Sequence, residues 1–123
     1  MTQEMLALIM CGGKGKRIKD FCSDKAMLKF NNKPLIEHVL IALIASKQFE
    51  RIYAAASCNS KVTLEFLKNH NYYHSGALEV METSGLNYST DLTYALEKLK
   101  PAVVLVLPSD MPLVTPELIK RIV

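Results

Sequence analysis

The chain has 123 residues, of which half are apolar and 22% are charged, so its size and composition predict a single globular domain over residues 1–123. No apolar run reaches the roughly 20 residues of a membrane helix, and the start Met-Thr-Gln-Glu lacks the basic region of a signal peptide. Cys11, Cys22 and Cys58 form no Cys-x-x-Cys pair, which fits reduced thiols and argues against a zinc site. We therefore expect a cytoplasmic protein without a membrane segment.

The net charge of +3 is unevenly distributed along the chain. Residues 14–33 hold seven basic side chains against two acidic ones, whereas the rest of the chain holds eight basic and ten acidic side chains. A generally basic protein would indicate nucleic acid as the partner. Because the excess is confined to one segment, the distribution instead favours a small phosphorylated ligand and no nucleic acid.

Apolar runs and segments of helical periodicity alternate along the chain. In chain order the first predicted elements are a strand at Met5–Met10, a glycine loop at 12–15, a short apolar turn at 26–30, an Asn31–Asn32 bend and a helix opening at Pro34. A strand at 51–56, a helix capped by Ser57 or Asn59 that reaches about His70, a strand at 78–81 and a loop at 83–87 are predicted next. The last predicted elements are a helix capped by Ser89 or Thr90, a strand at 102–107, and a helix with Thr115 as cap and Pro116 at its first position.

This order predicts an α/β fold of Rossmann-like, three-layer α/β/α architecture, with a mainly parallel sheet between helices. Ligands of such sheets bind beyond the carboxyl ends of the strands. The glycine loop follows the first predicted strand and Asp110 follows the last one. We therefore expect both at the same edge of the sheet.

The glycine loop, with Gly12, Gly13 and Gly15 among basic residues, predicts a phosphate-binding turn. Its spacing excludes two common motifs. A Walker-A loop would need a glycine at Met10 and Ser or Thr at Arg17. A dinucleotide fingerprint would need a small residue at Ile18.

The segment Met10-Cys11-Gly12-Gly13-Lys14-Gly15-Lys16-Arg17-Ile18, followed by Lys25 and by Asn32-Lys33-Pro34-Leu35-Ile36, resembles the signature of the nucleotidyltransferase superfamily. Pro108-Ser109-Asp110-Met111-Pro112 is similar to the metal-binding turn of that superfamily. The resemblance implies a sheet of the nucleotide-diphospho-sugar transferase type. Within the superfamily the chain is most similar to the archaeal-type GTP:adenosylcobinamide-phosphate guanylyltransferases, ahead of the molybdenum-cofactor guanylyltransferases.

The chain departs from the family pattern at three positions and in length. Cys11 stands where Ala is usual, Lys16 where Thr or Ser is usual, and Asn32 where Gly is usual, although Asn tolerates a left-handed turn. Members of the family normally continue through a further strand and helix that form much of the acceptor site. We therefore expect either a fragment or a minimal member, and a homodimer is one way to supply acceptor-site surface.

The resemblance implies a role for each matching residue. The N–H groups of Gly12, Gly13 and Gly15 are expected to bind the β- and γ-phosphates, assisted by Lys14, while Arg17 binds the departing pyrophosphate and Lys25 the α-phosphate. Asp110 is expected to bind Mg²⁺. Guanine is expected to contact the backbone of Met10 and Cys11 and the residues Thr83, Ser84 and Gly85. Catalysis would rest on Arg17 and Lys25, with Mg²⁺ as the cofactor.

The implied reaction transfers GMP from GTP to a phosphorylated small-molecule acceptor, adenosylcobinamide phosphate, and releases pyrophosphate. An acceptor phosphate is already anionic, so positioning and charge neutralisation suffice and no general base is needed. Two kinds of alternative stay open. One is transfer to molybdopterin or to a sugar phosphate, and the other is a nucleotide-binding module without turnover.

Overall fold

The computed structural model describes residues 5–11, 27–57, 60–85, 87–100, 103–109 and 115–122. The expected phosphate-loop residues Gly12, Gly13, Lys14, Gly15 and Arg17, together with Lys25 and Asp110, lie outside these ranges. The described elements are β1 (Met5–Met10), β2 (Lys29–Phe30), β3 (Lys33–Pro34), α1 (Leu35–Ser46), β4 (Arg51–Ser57), α2 (Lys61–Lys68), α3 (Asn71–Ser75), β5 (Leu78–Thr83), α4 (Tyr88–Leu99), β6 (Val103–Pro108) and α5 (Pro116–Ile122).

Four of the strands form one parallel sheet in the order β5-β4-β1-β6. β4 lies next to β1 and β5 lies next to β4, whereas β6, the last strand in sequence, lies on the other side of β1. Strand order therefore reverses at β1, which is where sheets of this kind bind ligands at the carboxyl ends of their strands. The predicted α/β class and parallel sheet are confirmed.

Side chains of β1 alternate between two apolar layers, as the two-residue period of a strand requires. Ala7 and Ile9 pack into a core with apolar residues of α1, α2 and α5. Leu8 and Met10 pack on the opposite face with Ala95 of α4. Helices therefore cover both faces of the sheet, which makes every residue of β1 except Met5 buried and holds its carboxyl end in place.

Between β1 and α1 the chain forms a small antiparallel hairpin of β2 and β3. Its two-residue loop consists of Asn31 and Asn32, with φ of 51° and 67°. Two successive positive φ values are those of a type I′ turn, in which Asn is favoured. The predicted bend is thus a hairpin loop, and Asn32 adopts the left-handed conformation expected for it. The Phe30 carbonyl accepts a hydrogen bond from His38 Nε2 at 2.6 Å, which joins the hairpin to α1.

Two predicted helix caps are wrong, and one is confirmed. The cap of α2 is Ser60, not Ser57 or Asn59, and its hydroxyl makes no capping bond. The cap of α4 is Asn87, not Ser89 or Thr90, and its side chain accepts a hydrogen bond from the Thr90 N–H at 2.8 Å. Thr115 caps α5 as predicted, because its hydroxyl accepts a hydrogen bond from Leu118 N–H.

α2 ends at Lys68, close to the predicted end at about His70, and a short helix that was not predicted, α3, follows it. His70 is its N-cap, and the ring Nδ1 accepts a hydrogen bond from the Tyr72 N–H at 3.1 Å. Since that nitrogen is the acceptor, the proton of the neutral ring is on Nε2, which lies 3.2 Å from Glu37 Oε2 on α1. His70 thus fixes the position of α3 against α1.

Candidate nucleotide-binding site

The carboxyl edge of the parallel sheet carries a row of small polar residues. β4 ends at Ser57 and β5 at Thr83, while Cys11 follows β1 and Ser109 follows β6. All four residues are buried. The sequence predicted the nucleotide site at this edge, where the four adjacent parallel strands end.

The end of β1 is fixed from both sides by its neighbours. Cys11 N–H donates to the Ala55 carbonyl of β4 at 2.8 Å, and Ser109 N–H donates to the Met10 carbonyl at 3.2 Å. In addition, the buried hydroxyl of Ser60, at the start of α2, donates to the Cys11 carbonyl at 3.4 Å. The residue that precedes the glycine loop is therefore held rigidly at the edge of the sheet.

These hydrogen bonds bear on the guanine contacts expected of Met10 and Cys11. The Cys11 N–H already donates within the sheet, so it is not free to meet a nucleobase. The carbonyl oxygens of both residues also take part in hydrogen bonds at this edge, Met10 with the Ser109 N–H and Cys11 with the Ser60 hydroxyl.

The turn that follows β5 consists of Thr83, Ser84 and Gly85 and is held from inside by Asp91 of α4. Asp91 Oδ1 accepts hydrogen bonds from Ser84 Oγ at 3.2 Å and from Gly85 N–H at 3.1 Å. Gly85 has a φ of +77°, which glycine adopts without the steric cost that a Cβ would impose. The sequence therefore places glycine where the chain bends from the strand toward the helix.

Thr83 contributes a buried hydroxyl to this edge. The residue is 7% exposed, and its Oγ1 has no hydrogen-bond partner within the described part of the chain. A buried hydroxyl without a partner costs on the order of 1–3 kcal/mol in folding. This hydroxyl lies at the end of a strand, on the edge where α/β sheets bind ligands.

Asp91, Ser60 and Ser109 were not among the residues expected to form the site. In the sequence Asp91 has an ordinary role, because an acidic residue in the first turn of a helix complements the helix dipole. Its burial depends on how α4 packs against β5, which local sequence does not encode. The Ser84-Gly85 pair six to seven residues before Asp91 is the one signal that could have suggested the contact.

Comparison with known proteins assigns the chain to a family. Residues 7–123 match the family model described as the MobA-like NTP transferase domain. The chain belongs to this family. The match begins within β1 and includes the glycine loop, the β5–α4 turn and Asp110.

Two relatives carry related descriptions. The chain is 34% identical over 121 residues to a probable molybdenum cofactor guanylyltransferase of Pyrococcus horikoshii, and 26% identical over 124 residues to a molybdenum cofactor guanylyltransferase of Shewanella halifaxensis. Each alignment covers 98% of this chain and 55% of the relative. The chain thus spans about half the length of these two relatives.

Solved structures share the fold of this chain. A 4-diphosphocytidyl-2C-methyl-D-erythritol synthase from Anaerococcus prevotii superimposes with a TM-score of 0.71 at 16% identity, covering 96% of this chain and 48% of that one. A CMP:2-keto-3-deoxy-manno-octonic acid synthetase complexed with CTP also gives 0.71, at 15% identity, covering 96% of this chain and 45% of that one. At these identities the likeness shows the fold alone.

The described helices also bear on the expectation of no membrane segment. None of the helices within the described ranges has the length and apolar character needed to cross a bilayer.

Proposed function

We propose that this chain is the nucleotide-binding part of a guanylyltransferase, which binds GTP at the carboxyl edge of the parallel sheet and transfers GMP to a phosphorylated acceptor with release of pyrophosphate. The observation that carries the proposal is the turn Thr83–Gly85, in which the Thr83 hydroxyl has no hydrogen-bond partner among the described residues, on the same sheet edge as Cys11, the residue before the glycine loop. Family membership supports nucleotidyl transfer as the chemistry.

The spacing of the two features suits a nucleotide. β4 lies between β1 and β5 in the sheet, so the strands that carry Cys11 and Thr83 are two strand spacings apart, about 10 Å. A nucleotide lying across the strand ends can place its base at the Thr83–Gly85 turn and its phosphates at the glycine loop. β4 ends between them at Ser57, a small buried residue.

In this proposal the glycine loop and the cationic residues in and near it bind the phosphates and neutralise their charge during transfer. The glycine N–H groups bind the β- and γ-phosphates, Arg17 grips the departing pyrophosphate through its planar fork, and Lys25 neutralises charge that develops on the α-phosphate. The acceptor supplies an anionic phosphate oxygen, which attacks the α-phosphorus as the bond to the pyrophosphate oxygen breaks. No protein group needs to remove a proton.

Magnesium enters the proposal through Asp110. A carboxylate is a ligand type that Mg²⁺ prefers, and Asp110 follows Ser109 directly at the end of β6. When bound, the ion would neutralise phosphate charge. The described residue next to it, Ser109, is buried and donates its N–H to the Met10 carbonyl, which holds this end of β6 beside the end of β1.

For the acceptor, we propose the molybdenum cofactor first. The 34% identical relative is described as a probable molybdenum cofactor guanylyltransferase, whereas sequence resemblance alone had put adenosylcobinamide phosphate first. Adenosylcobinamide phosphate stays the second candidate on one observation, the Thr83-Ser84-Gly85 segment before the Asp91-Leu92 helix, which is the feature that favoured it.

Pyrophosphate release tests the proposal. The chain, and the longer protein where the reading frame continues beyond Val123, is incubated with GTP, Mg²⁺ and either molybdopterin or adenosylcobinamide phosphate. Release with molybdopterin supports the first acceptor, and release with adenosylcobinamide phosphate alone supports the second. Tight GTP binding without release for any acceptor, a sugar phosphate included, would contradict catalysis and identify a nucleotide-binding module.

A further inference from the structure

Ser60 occupies the N-cap position of α2 without capping the helix. Serine is favoured at such a position because its oxygen accepts a hydrogen bond from an N–H group of the first turn. The Ser60 hydroxyl makes no capping bond and donates instead to the Cys11 carbonyl at 3.4 Å. Ser60 is 1% exposed, so this contact lies inside the fold. Helix capping therefore does not account for a serine here, whereas the contact with the residue after β1 does.

The backbone of Ser60 is itself fixed, which gives its hydroxyl a defined position. Its N–H donates to the carbonyl of Ser57, the last residue of β4, at 2.9 Å, and its own carbonyl accepts from the Leu64 N–H of α2 at 2.9 Å. Ser60 thus joins the end of β4, the start of α2 and, through its hydroxyl, the residue after β1. A side chain held in this way can fix the orientation of the group that it contacts.

Hydrogen bonds at the end of β1 show the direction of each backbone group there. The Met10 carbonyl faces β6, because it accepts from the Ser109 N–H. The Cys11 N–H faces β4, because it donates to the Ala55 carbonyl. The Cys11 carbonyl is directed to the same side as its N–H, since its donor Ser60 follows β4 in the chain. The last carbonyl before the glycine loop is therefore held on the β4 side of β1.

We propose that Ser60 is a positioning residue, which holds the peptide between Cys11 and Gly12 so that the Gly12 N–H is directed to the nucleotide phosphates. Gly12 lies outside the described ranges, and the inference rests on the proposed function, in which this N–H binds phosphate. A planar trans peptide directs its N–H opposite to its carbonyl, so a Cys11 carbonyl on the β4 side implies an N–H directed to the β6 side. On that side of β1 the strand order reverses, and Asp110 follows the end of β6 there.

The orientation of this peptide matters because donors that already point at an anion bind it without a cost of rearrangement. Glycine permits both signs of φ, so the peptide before Gly12 can rotate without the steric clash that a Cβ would cause. A hydroxyl that holds the Cys11 carbonyl opposes this rotation. Its removal should therefore weaken the binding of the phosphates and leave the binding of the guanosine part unaffected.

The test compares GTP with GMP, because GMP lacks the β- and γ-phosphates that the glycine loop is expected to bind. Calorimetry with Mg²⁺ gives both dissociation constants for the wild-type chain and for Ser60→Ala, Ser60→Thr and Ser46→Ala. Ser60→Ala should weaken GTP binding by about tenfold, the effect of one hydrogen bond to a charged group, and leave the GMP affinity unchanged. Ser60→Thr keeps the hydroxyl and should keep both affinities.

Ser46→Ala is the matched control. Ser46 is also a buried serine whose hydroxyl donates to a backbone carbonyl, that of Leu43 at 2.8 Å, but it is the last residue of α1. The Glu50 N–H, which follows soon after in the chain, donates to the carbonyl of Met5, the first residue of β1, so this end of α1 lies near the amino edge of the sheet. Ser46→Ala should lower the melting temperature and leave the ratio of GTP to GMP affinity unchanged. A merely structural role of Ser60 would give the same pattern.

Two results would overturn the inference while leaving the proposed function intact: a Ser60→Ala chain that keeps the wild-type ratio, or a Ser60→Thr chain that loses as much as Ser60→Ala. If Ser60→Ala does not fold, Ser60→Gly also removes the hydroxyl and keeps a residue that is favoured at an N-cap, and an unchanged ratio there counts against the inference.

The Gly12 amide gives a readout that does not depend on affinity. At saturating GTP its chemical shift should change less in Ser60→Ala than in the wild type, because the N–H is directed at the phosphates for a smaller part of the time. Equal changes in the two chains would contradict the inference. A wild-type chain that binds no GTP would instead refute the proposed function.

Discussion

Thr83 offers a test in which stability and ligand binding should move in opposite directions. The substitution Thr83→Val replaces the hydroxyl with a methyl group of similar size and keeps a β-branched side chain in the strand. Because Thr83 Oγ1 is buried without a described partner, its removal should stabilise the fold. If the hydroxyl serves the nucleotide, its removal should also weaken GTP binding.

The magnitudes follow from the burial. Removing a buried hydroxyl without a described partner should raise the free energy of unfolding by about 1 kcal/mol, the low end of the cost of burying such a group. For a chain of this length that corresponds to a rise in melting temperature of roughly 3–6 °C. The loss of one hydrogen bond to the nucleotide should weaken GTP binding by about three- to tenfold.

Thermal unfolding followed by circular dichroism measures the first effect, and calorimetry with GTP and Mg²⁺ measures the second. Thr83→Ser is the matched control, because it keeps the hydroxyl and should keep the GTP affinity while losing a buried methyl group. The reasoning is refuted if Thr83→Val melts at a lower temperature and binds GTP as tightly as the wild type.

Three further substitutions test other parts of the account. Lys25→Ala should retain most of the GTP affinity and lose turnover, because its expected contact forms with the α-phosphate during transfer; loss of GTP binding in calorimetry would disprove that role. Asn32→Gly should leave the unfolding free energy in urea almost unchanged, whereas Asn32→Val should lower it by about 1–2 kcal/mol because φ is 67° there; equal effects would argue against the type I′ turn. His70→Ala should cost about 1 kcal/mol through the lost cap of α3, and an unaltered melting temperature would contradict the capping contact.

The features that local sequence encodes were predictable. Met5–Met10 is a strand as predicted, because a continuous apolar run is buried on both faces of a parallel sheet. Thr115 and Pro116 open α5 as predicted, since both residues favour the start of a helix for reasons internal to that helix. The order of strands and helices predicted the parallel sheet, because parallel strands require crossover connections.

The features that depend on distant contacts were not predictable. Ser60 is the N-cap of α2, but its hydroxyl donates to the Cys11 carbonyl, 49 residues away in sequence, and makes no capping hydrogen bond. The preference of Ser and Asn for N-cap positions fits Ser57 and Asn59 equally well, so it did not single out Ser60. At α4 the choice among Asn87, Ser89 and Thr90 was open because all three favour caps. Asp91 is compatible with an ordinary first-turn role in sequence, and only packing of α4 against the end of β5 shows its contact with Gly85.

The most direct test of the central claim is to locate bound GTP on the sheet. Backbone amide chemical shifts of the chain are measured as GTP is added with Mg²⁺. We expect the largest shifts at the carboxyl edge, in Cys11 and the Thr83–Gly85 turn. Largest shifts in Tyr73, His74 and Gly76, which line a groove near the amino ends of β4 and β5, would contradict it.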